Sequence, residues 1–210
     1  MYLIAYYTFA KVIKQWLFNK KKYFLLTVFT LVATLWANAQ NLDKMQWFNE
    51  PESYTIKNGK LEMDVPAQTD YWRIAHYGFT VDDGPFLYTT VGGEFEAKIK
   101  VSGYYKVRFD QAGMMIRKDP SDWSVIELKE PIPFLWLKAV RRLDAIELYY
   151  SFDDKEYTMM RTLWMQDNCP LMVGPVAACP DGQGFKAVFS HFKVKHLPDQ
   201  RRVEWLMNNQ

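Results

Sequence analysis

Residues 69–79 gather four aromatic rings, Asp70, Arg73 and His76, one of the chain's three histidines, within eleven positions. Aromatic faces supply large apolar area, while Arg and His supply directional hydrogen bonds. A Trp beside an Arg suits a sugar ring: the indole covers the apolar face and the guanidinium bonds the hydroxyls. Trp72, Arg73, His76 and Tyr77 are therefore read as a ligand-facing patch, the alternative being an aromatic strand end packed on the core. A second segment, Asp110-Gln111-Ala112-Gly113-Met114-Met115-Ile116-Arg117, begins polar and turns apolar. It predicts a strand with Asp110 and Gln111 at its mouth and Gly113 at a bulge or close approach of another segment. An acid capping a loop fits Asp110 better than a catalytic acid.

Catalytic constellations are sparse. A glycosidase needs two carboxyl groups about 5–5.5 Å apart for retention or about 6.5–9.5 Å apart for inversion. Asp70, Asp110 and Glu127 are the acids that could meet in space. The carboxylate-rich strand of sandwich glycosidases has its nearest match in Glu62-Met63-Asp64-Val65-Pro66, which lacks a third acid. The sequence contains no nucleophile elbow, phosphate loop or dinucleotide fingerprint. No cofactor is expected. The pairs Asp82-Asp83 and Asp153-Asp154 could offer oxygens to calcium, but hairpin turns use Asp for backbone reasons, and that reading is preferred. Cys169 and Cys179 have no zinc spacing, nor do the histidines. They are read as two thiols beside a buried strand rather than as a disulfide.

The elements that must carry these residues alternate with period two. Leu61, Met63 and Val65 define one face, Phe95, Ala97, Ile99 and Val101 another, and Leu135, Leu137 and Ala139 a third. Ile146, Leu148, Tyr150 and Phe152 form a fourth. Val173, Val176 and Ala178 sit on a run apolar enough to be buried on both sides, and Phe185, Ala187 and Phe189 begin a strand reaching Val194. Between them Asn58-Gly59, residues 82–85, Gly92-Gly93, Asp153-Asp154 and Asp181-Gly182 provide hairpin turns. Short strands joined by such turns predict an antiparallel all-β sandwich or barrel. A short helix is expected over 201–207, capped by Asp199.

Residues 1–39 contain five lysines and no acid, and an apolar stretch from Tyr23 to Trp36 ends at Ala37-Asn38-Ala39. This pattern reads as a secretory signal peptide, or an over-extended leader, with Gln40 as the new N-terminus. The apolar core is shorter than the ~20 residues of a spanning helix, so a membrane role would come only through an uncleaved leader. A secreted or periplasmic location is expected. Setting the five leader lysines aside from 26 basic residues leaves 21 against 24 acidic ones. No remaining stretch clusters Lys and Arg as phosphate binding requires, so no nucleic-acid partner is expected.

The segments Trp47-Phe48-Asn49-Glu50-Pro51, 69–79, Asp83-Gly84-Pro85-Phe86-Leu87-Tyr88, 105–117, Ser121-Asp122-Trp123-Ser124 and 173–189 resemble, in order, the family named after the regulation-of-enolase protein. The resemblance runs from about residue 45 to 195. It implies a concanavalin A-like antiparallel β-sandwich (jelly roll) over residues 40–197, with 198–210 as a tail, and no mechanism. In that family roughly thirty residues separate the counterparts of Arg117 and Ser121. Here only Lys118-Asp119-Pro120 intervenes, so a sandwich lacking two strands is expected. Carried over by position, the family's polar-aromatic surface falls on Trp72, Arg73, His76, Tyr77, Asp110, Gln111, Arg117 and Trp123. The leading expectation is a non-catalytic domain that binds carbohydrate or a similar polyol. A glycoside-acting hydrolase and a protein-interaction module using an exposed sheet edge remain alternatives.

Overall fold

The computed structural model describes residues 42–74, 78–128, 132–166, 168–200 and 207–208, all within one unit spanning Gln40–Gln210. The leader lies outside the described residues. So do positions 201–206 of the expected C-terminal helix, of which Met207 is helical. Strand β1 (Gln46–Phe48) is followed by β2 (Tyr54–Lys57), β3 (Lys60–Val65), β4 (Tyr71–Arg73) and β5 (Thr80–Asp82). Next come β6 (Phe86–Val91), β7 (Phe95–Gly103), β8 (Gln111–Asp119), β9 (Asp122–Leu128) and β10 (Leu135–Arg142). The last four are β11 (Ala145–Ser151), β12 (Thr158–Trp164), β13 (Leu171–Ala178) and β14 (Phe185–His196).

Successive side chains of a strand point to opposite faces, so an alternating sequence closes one face against a core. Leu61, Met63 and Val65 on β3, Phe95 to Val101 on β7, and Leu135, Leu137 and Ala139 on β10 are all buried. They belong to a seven-stranded sheet ordered β12-β11-β10-β7-β14-β3-β2. Its inner face packs on the inner face of a five-stranded sheet, β1-β6-β13-β8-β9, through Leu87, Ala112, Met114, Ile116 and Val173. Neighbouring strands pair antiparallel throughout both sheets. The result is an antiparallel β-sandwich. A smaller cluster of Tyr71, Phe86, Met115, Val176 and Ala178 lies on the outer side of the five-stranded sheet, where the β4–β5 hairpin covers it.

The short link after Arg117 is a hairpin turn. β8 and β9 pair directly from Ala112↔Leu128 to Asp119↔Asp122, and Asp119 accepts the Ser121 N–H at 2.7 Å to close the turn. Gly113 marks a close approach: a side chain there would collide with the backbone carbonyl of Ile126 on β9.

Two elements differ from the sequence pattern. Phe152 leaves the core face and is 63% exposed, because β11 ends at Ser151, whose Oγ accepts the N–H groups of Asp153 and Asp154 at 3.2 and 3.1 Å. β14 runs on to His196 through a bulge between Ser190 and Lys193. Strand β12 has no alternation to reveal it, since only Leu163 escapes full exposure. Cys169 and Cys179 are both free thiols.

Candidate functional site

The β4–β5 hairpin is fixed to the sheet by polar contacts that its sequence supplies on both arms. Tyr71 is buried and donates its hydroxyl to the Gly84 carbonyl at 2.5 Å. Burial, reinforced by the Asp82 carboxylate, pushes its phenol well above the usual range. Asp70 N–H donates to Asp83 Oδ1 at 2.8 Å, and Asp70 Oδ1 accepts Tyr71 N–H at 2.8 Å and Gln111 Nε2 at 3.1 Å. Asp82 receives Arg117 in two bonds of 2.5 and 2.6 Å. The tip turns through Ile74 at φ 58° and Gly78 at φ 74°, with Gly78 N–H donating to Ile74 O at 2.9 Å.

A groove of about 1040 Å³ runs along this outer face. Trp72, Arg73 and Phe79 of the hairpin, Gln111, Trp123 and Glu127 of β8 and β9, Arg161 and Trp164 of edge strand β12, and Asp181 after β13 are among the residues that line it. The rings are held in defined poses. Trp123 meets Tyr71 edge-on at 6.0 Å, Trp72 lies 6.2 Å from Phe79, and the indole N–H of Trp164 donates to Asp144 at 3.0 Å. Trp164 is 68% exposed, so its ring is a platform facing solvent. Arg73 donates one bond to Pro120 O at 3.2 Å, linking the hairpin to the β8–β9 turn. The groove thus offers flat apolar faces beside donors and acceptors, which is the chemistry a polyhydroxylated ring needs.

The structure brings Trp72, Arg73, Gln111 and Trp123 together in this groove. His76 and Tyr77 lie outside the described residues. Asp110 and Arg117 are buried, at 0% and 1% exposure. Asp110 accepts the N–H groups of Lys106 and Val107 at 2.7 and 3.1 Å and the Cys179 thiol at 3.0 Å. Burial and this carboxylate push the Cys179 thiol up. Arg117 is closed by Asp82, with its guanidinium 4.4 Å from the Phe48 ring centre. Of the three candidate acids, Asp70 and Glu127 line the groove and Asp110 does not.

The other acidic pairs are also placed. Glu62 and Asp64 bridge Lys60 and Lys186 away from the groove, at 2.5 and 3.1 Å. Asp153 Oδ1 accepts Lys155 N–H at 2.9 Å, and Asp154 takes Lys98 at 2.6 Å. Sequence reasoning missed Arg161, Trp164, Phe79 and Asp181. Arg161 and Trp164 arrive through the unpatterned strand β12, and only the long-range β11–β12 pairing brings them to the groove.

The fold is an antiparallel β-sandwich of a five-stranded and a seven-stranded sheet. The chain belongs to the DUF1349 family, described as a protein of unknown function, whose family model matches residues 47–121 and 117–197. The two matched segments meet in the β8–β9 turn. The chain is 29% identical over 178 residues to Regulation of enolase protein 1 of Saccharomyces cerevisiae, spanning 73% of this chain and 90% of that protein. A crystal structure of a functionally unknown protein from S. cerevisiae is similar at TM-score 0.69 and 27% identity, over 75% of this chain and 99% of that one. The GH43 BlXynB protein from Bacillus licheniformis shares the fold at TM-score 0.55 and 16% identity, over 76% of this chain and 38% of its own.

Proposed function

We propose that this domain binds carbohydrate in the outer-face groove without catalysing a reaction on it. One observation carries the reading: a solvent-facing Trp164, pinned through its indole nitrogen, lines the same 1040 Å³ groove as Trp72 and Arg73 of the hairpin. Aromatic platforms with nearby donors hold sugars by covering their C–H faces and bonding their hydroxyls. The groove's ionisable side chains are Asp70, Asp122, Glu127 and Asp181 against Arg73 and Arg161, which favours neutral over acidic glycans.

Calorimetric titration with neutral oligosaccharides (cello-, xylo- and manno- series) tests this. Binding should weaken about tenfold in Trp164→Ala, about the value of one well-placed aromatic contact. Absence of binding across a broad glycan panel would end the proposal. Asp70 and Glu127 lining one groove is the observation that keeps a hydrolase reading in view. Release of reducing sugar by the native protein, abolished in Glu127→Gln, would replace binding with catalysis. Export belongs to the same proposal, and N-terminal sequencing of the mature protein should begin at Gln40.

A further inference from the structure

On the opposite side of the molecule, the outer face of the seven-stranded sheet carries lysines in cross-strand rows. Lys60, Ser190, Lys100 and Trp136 are successive partners across β3, β14, β7 and β10. Lys193, Lys98 and Lys138 form a second row across β14, β7 and β10. Like charges directly opposite one another on a sheet are destabilising, so the second row is held at a cost. Asp154 takes Lys98 at 2.6 Å, Glu62 takes Lys60 at 2.5 Å and Asp64 takes Lys186 at 3.1 Å, whereas among the described residues Lys100, Lys138 and Lys193 have no carboxylate partner. Rings stand in for one. Lys100 lies 3.7 Å from the Phe134 ring centre, and Lys138 lies 4.0 and 4.6 Å from Tyr157 and Tyr149.

A cavity of about 570 Å³ opens over the first row, lined by Lys60, Lys100 and Lys186 with Ser102, Ser190 and Tyr104 among its other residues. Tyr104 is 69% exposed at its edge. The β14 bulge lies beside it, and there His191 adopts φ 56°, a conformation L-residues rarely take, with its ring 5.2 Å from Trp136. Bulges of this kind re-aim side chains at functional sites.

We propose that this lysine-rich face is a second binding site, for an acidic glycan. Lys60 and Lys100 stand two strands apart, about 9.5 Å, a spacing that anionic groups repeated along a sugar chain can meet together. Tyr104 and the two serines suit the rings and hydroxyls between those groups. Single-stranded nucleic acid is the less favoured occupant, because Trp136 is only 9% exposed, too covered to stack on a base. The proposal does not rest on the outer-face groove of the other sheet, whose acidic excess suits the opposite class of sugar.

Calorimetry on the full chain with an oligogalacturonate tests it. Binding should weaken as salt rises from about 50 to about 300 mM. Affinity should fall about tenfold in Lys100→Gln and also in Lys60→Gln, with unchanged melting temperatures, while Trp164→Ala binds normally. Lack of oligogalacturonate binding by the native chain would overturn the site. So would full affinity in both lysine variants, or tighter binding of an oligothymidylate of equal charge.

Discussion

Arg117 of β8 and Asp82 of β5, 35 residues apart in sequence, form a two-bond ion pair of 2.5 and 2.6 Å that pins the β4–β5 hairpin to the five-stranded sheet. Arg117 is 1% exposed and Asp82 opens partly to solvent, so the pair anchors one buried charge beneath the element that carries Trp72 and Arg73. Planar two-point pairing fixes orientation as well as distance.

Asp82→Ala should therefore destabilise the domain by about 3 kcal/mol, because it strands a buried guanidinium. Chemical denaturation reads this as a lowered midpoint. Asp82→Ala combined with Arg117→Met should recover most of the loss, since no charge is then left unpaired. A midpoint unaltered in Asp82→Ala would show that the hairpin does not depend on the pair.

Gly113 and Gly92 should respond differently to the same change. A Cβ at Gly113 meets the Ile126 carbonyl on the neighbouring strand, whereas one at Gly92 meets nothing within 4 Å. Gly113→Ala is expected to cost about 3 kcal/mol by forcing β8 and β9 apart, and Gly92→Ala to stay within about 0.5 kcal/mol of the native protein. Thermal melts of the two variants side by side decide it.

Acid stability should depend on Asp154. Burial pushes its carboxyl up, but the Lys98 ammonium and the Tyr157 hydroxyl outweigh burial and hold it below the usual carboxylate range. A group depressed in the folded state stabilises fully above its unfolded pKa, near ~4, and loses that contribution as pH falls through the folded value. Melting temperature should thus fall less steeply below about pH 4 in Asp154→Asn than in the native protein. Part of the slope will remain, because Asp64, Glu62, Asp119 and Asp153 are also depressed. Parallel slopes in the two proteins would contradict the assignment.

The two cysteines should differ in reactivity while neither forms a disulfide. Cys169 is partly exposed; Cys179 is buried against Asp110, its thiol pushed up by burial. Only the thiolate reacts with alkylating agents, so iodoacetamide should label Cys169 in the folded protein and Cys179 only on unfolding. Peptide mass mapping distinguishes the sites, and equal labelling of both in the native state would count against this packing.

Trp164 separates binding from stability. At 68% exposure its removal should shift the denaturation midpoint by less than about 0.5 kcal/mol. Glycan addition should protect native tryptophan fluorescence from a soluble quencher, and Trp164→Ala should lose most of that protection. Protection that persists in the variant would place the ligand elsewhere.

Strands β3, β7 and β10 were legible because each buries one face and leaves the other polar, which writes period two into the sequence. β12 was not, since an edge strand exposed on both faces carries no such mark. The burial of Asp110 and Arg117 was not legible for a related reason. Residue type records the capacity to bond, and the partners that bury these two sit on other strands and loops.

By itself the sequence determined an antiparallel sandwich, its family and the clustering of Trp72 and Arg73 on one short segment. These follow from alternation, turn residues and adjacency along the chain. Tertiary structure decided which polar groups face the groove, how Trp164 reaches it, and that lysines align on the other sheet. Those outcomes depend on strand order and register, which set contacts between residues remote in the chain and determine whether a charge is closed by a partner or left facing solvent.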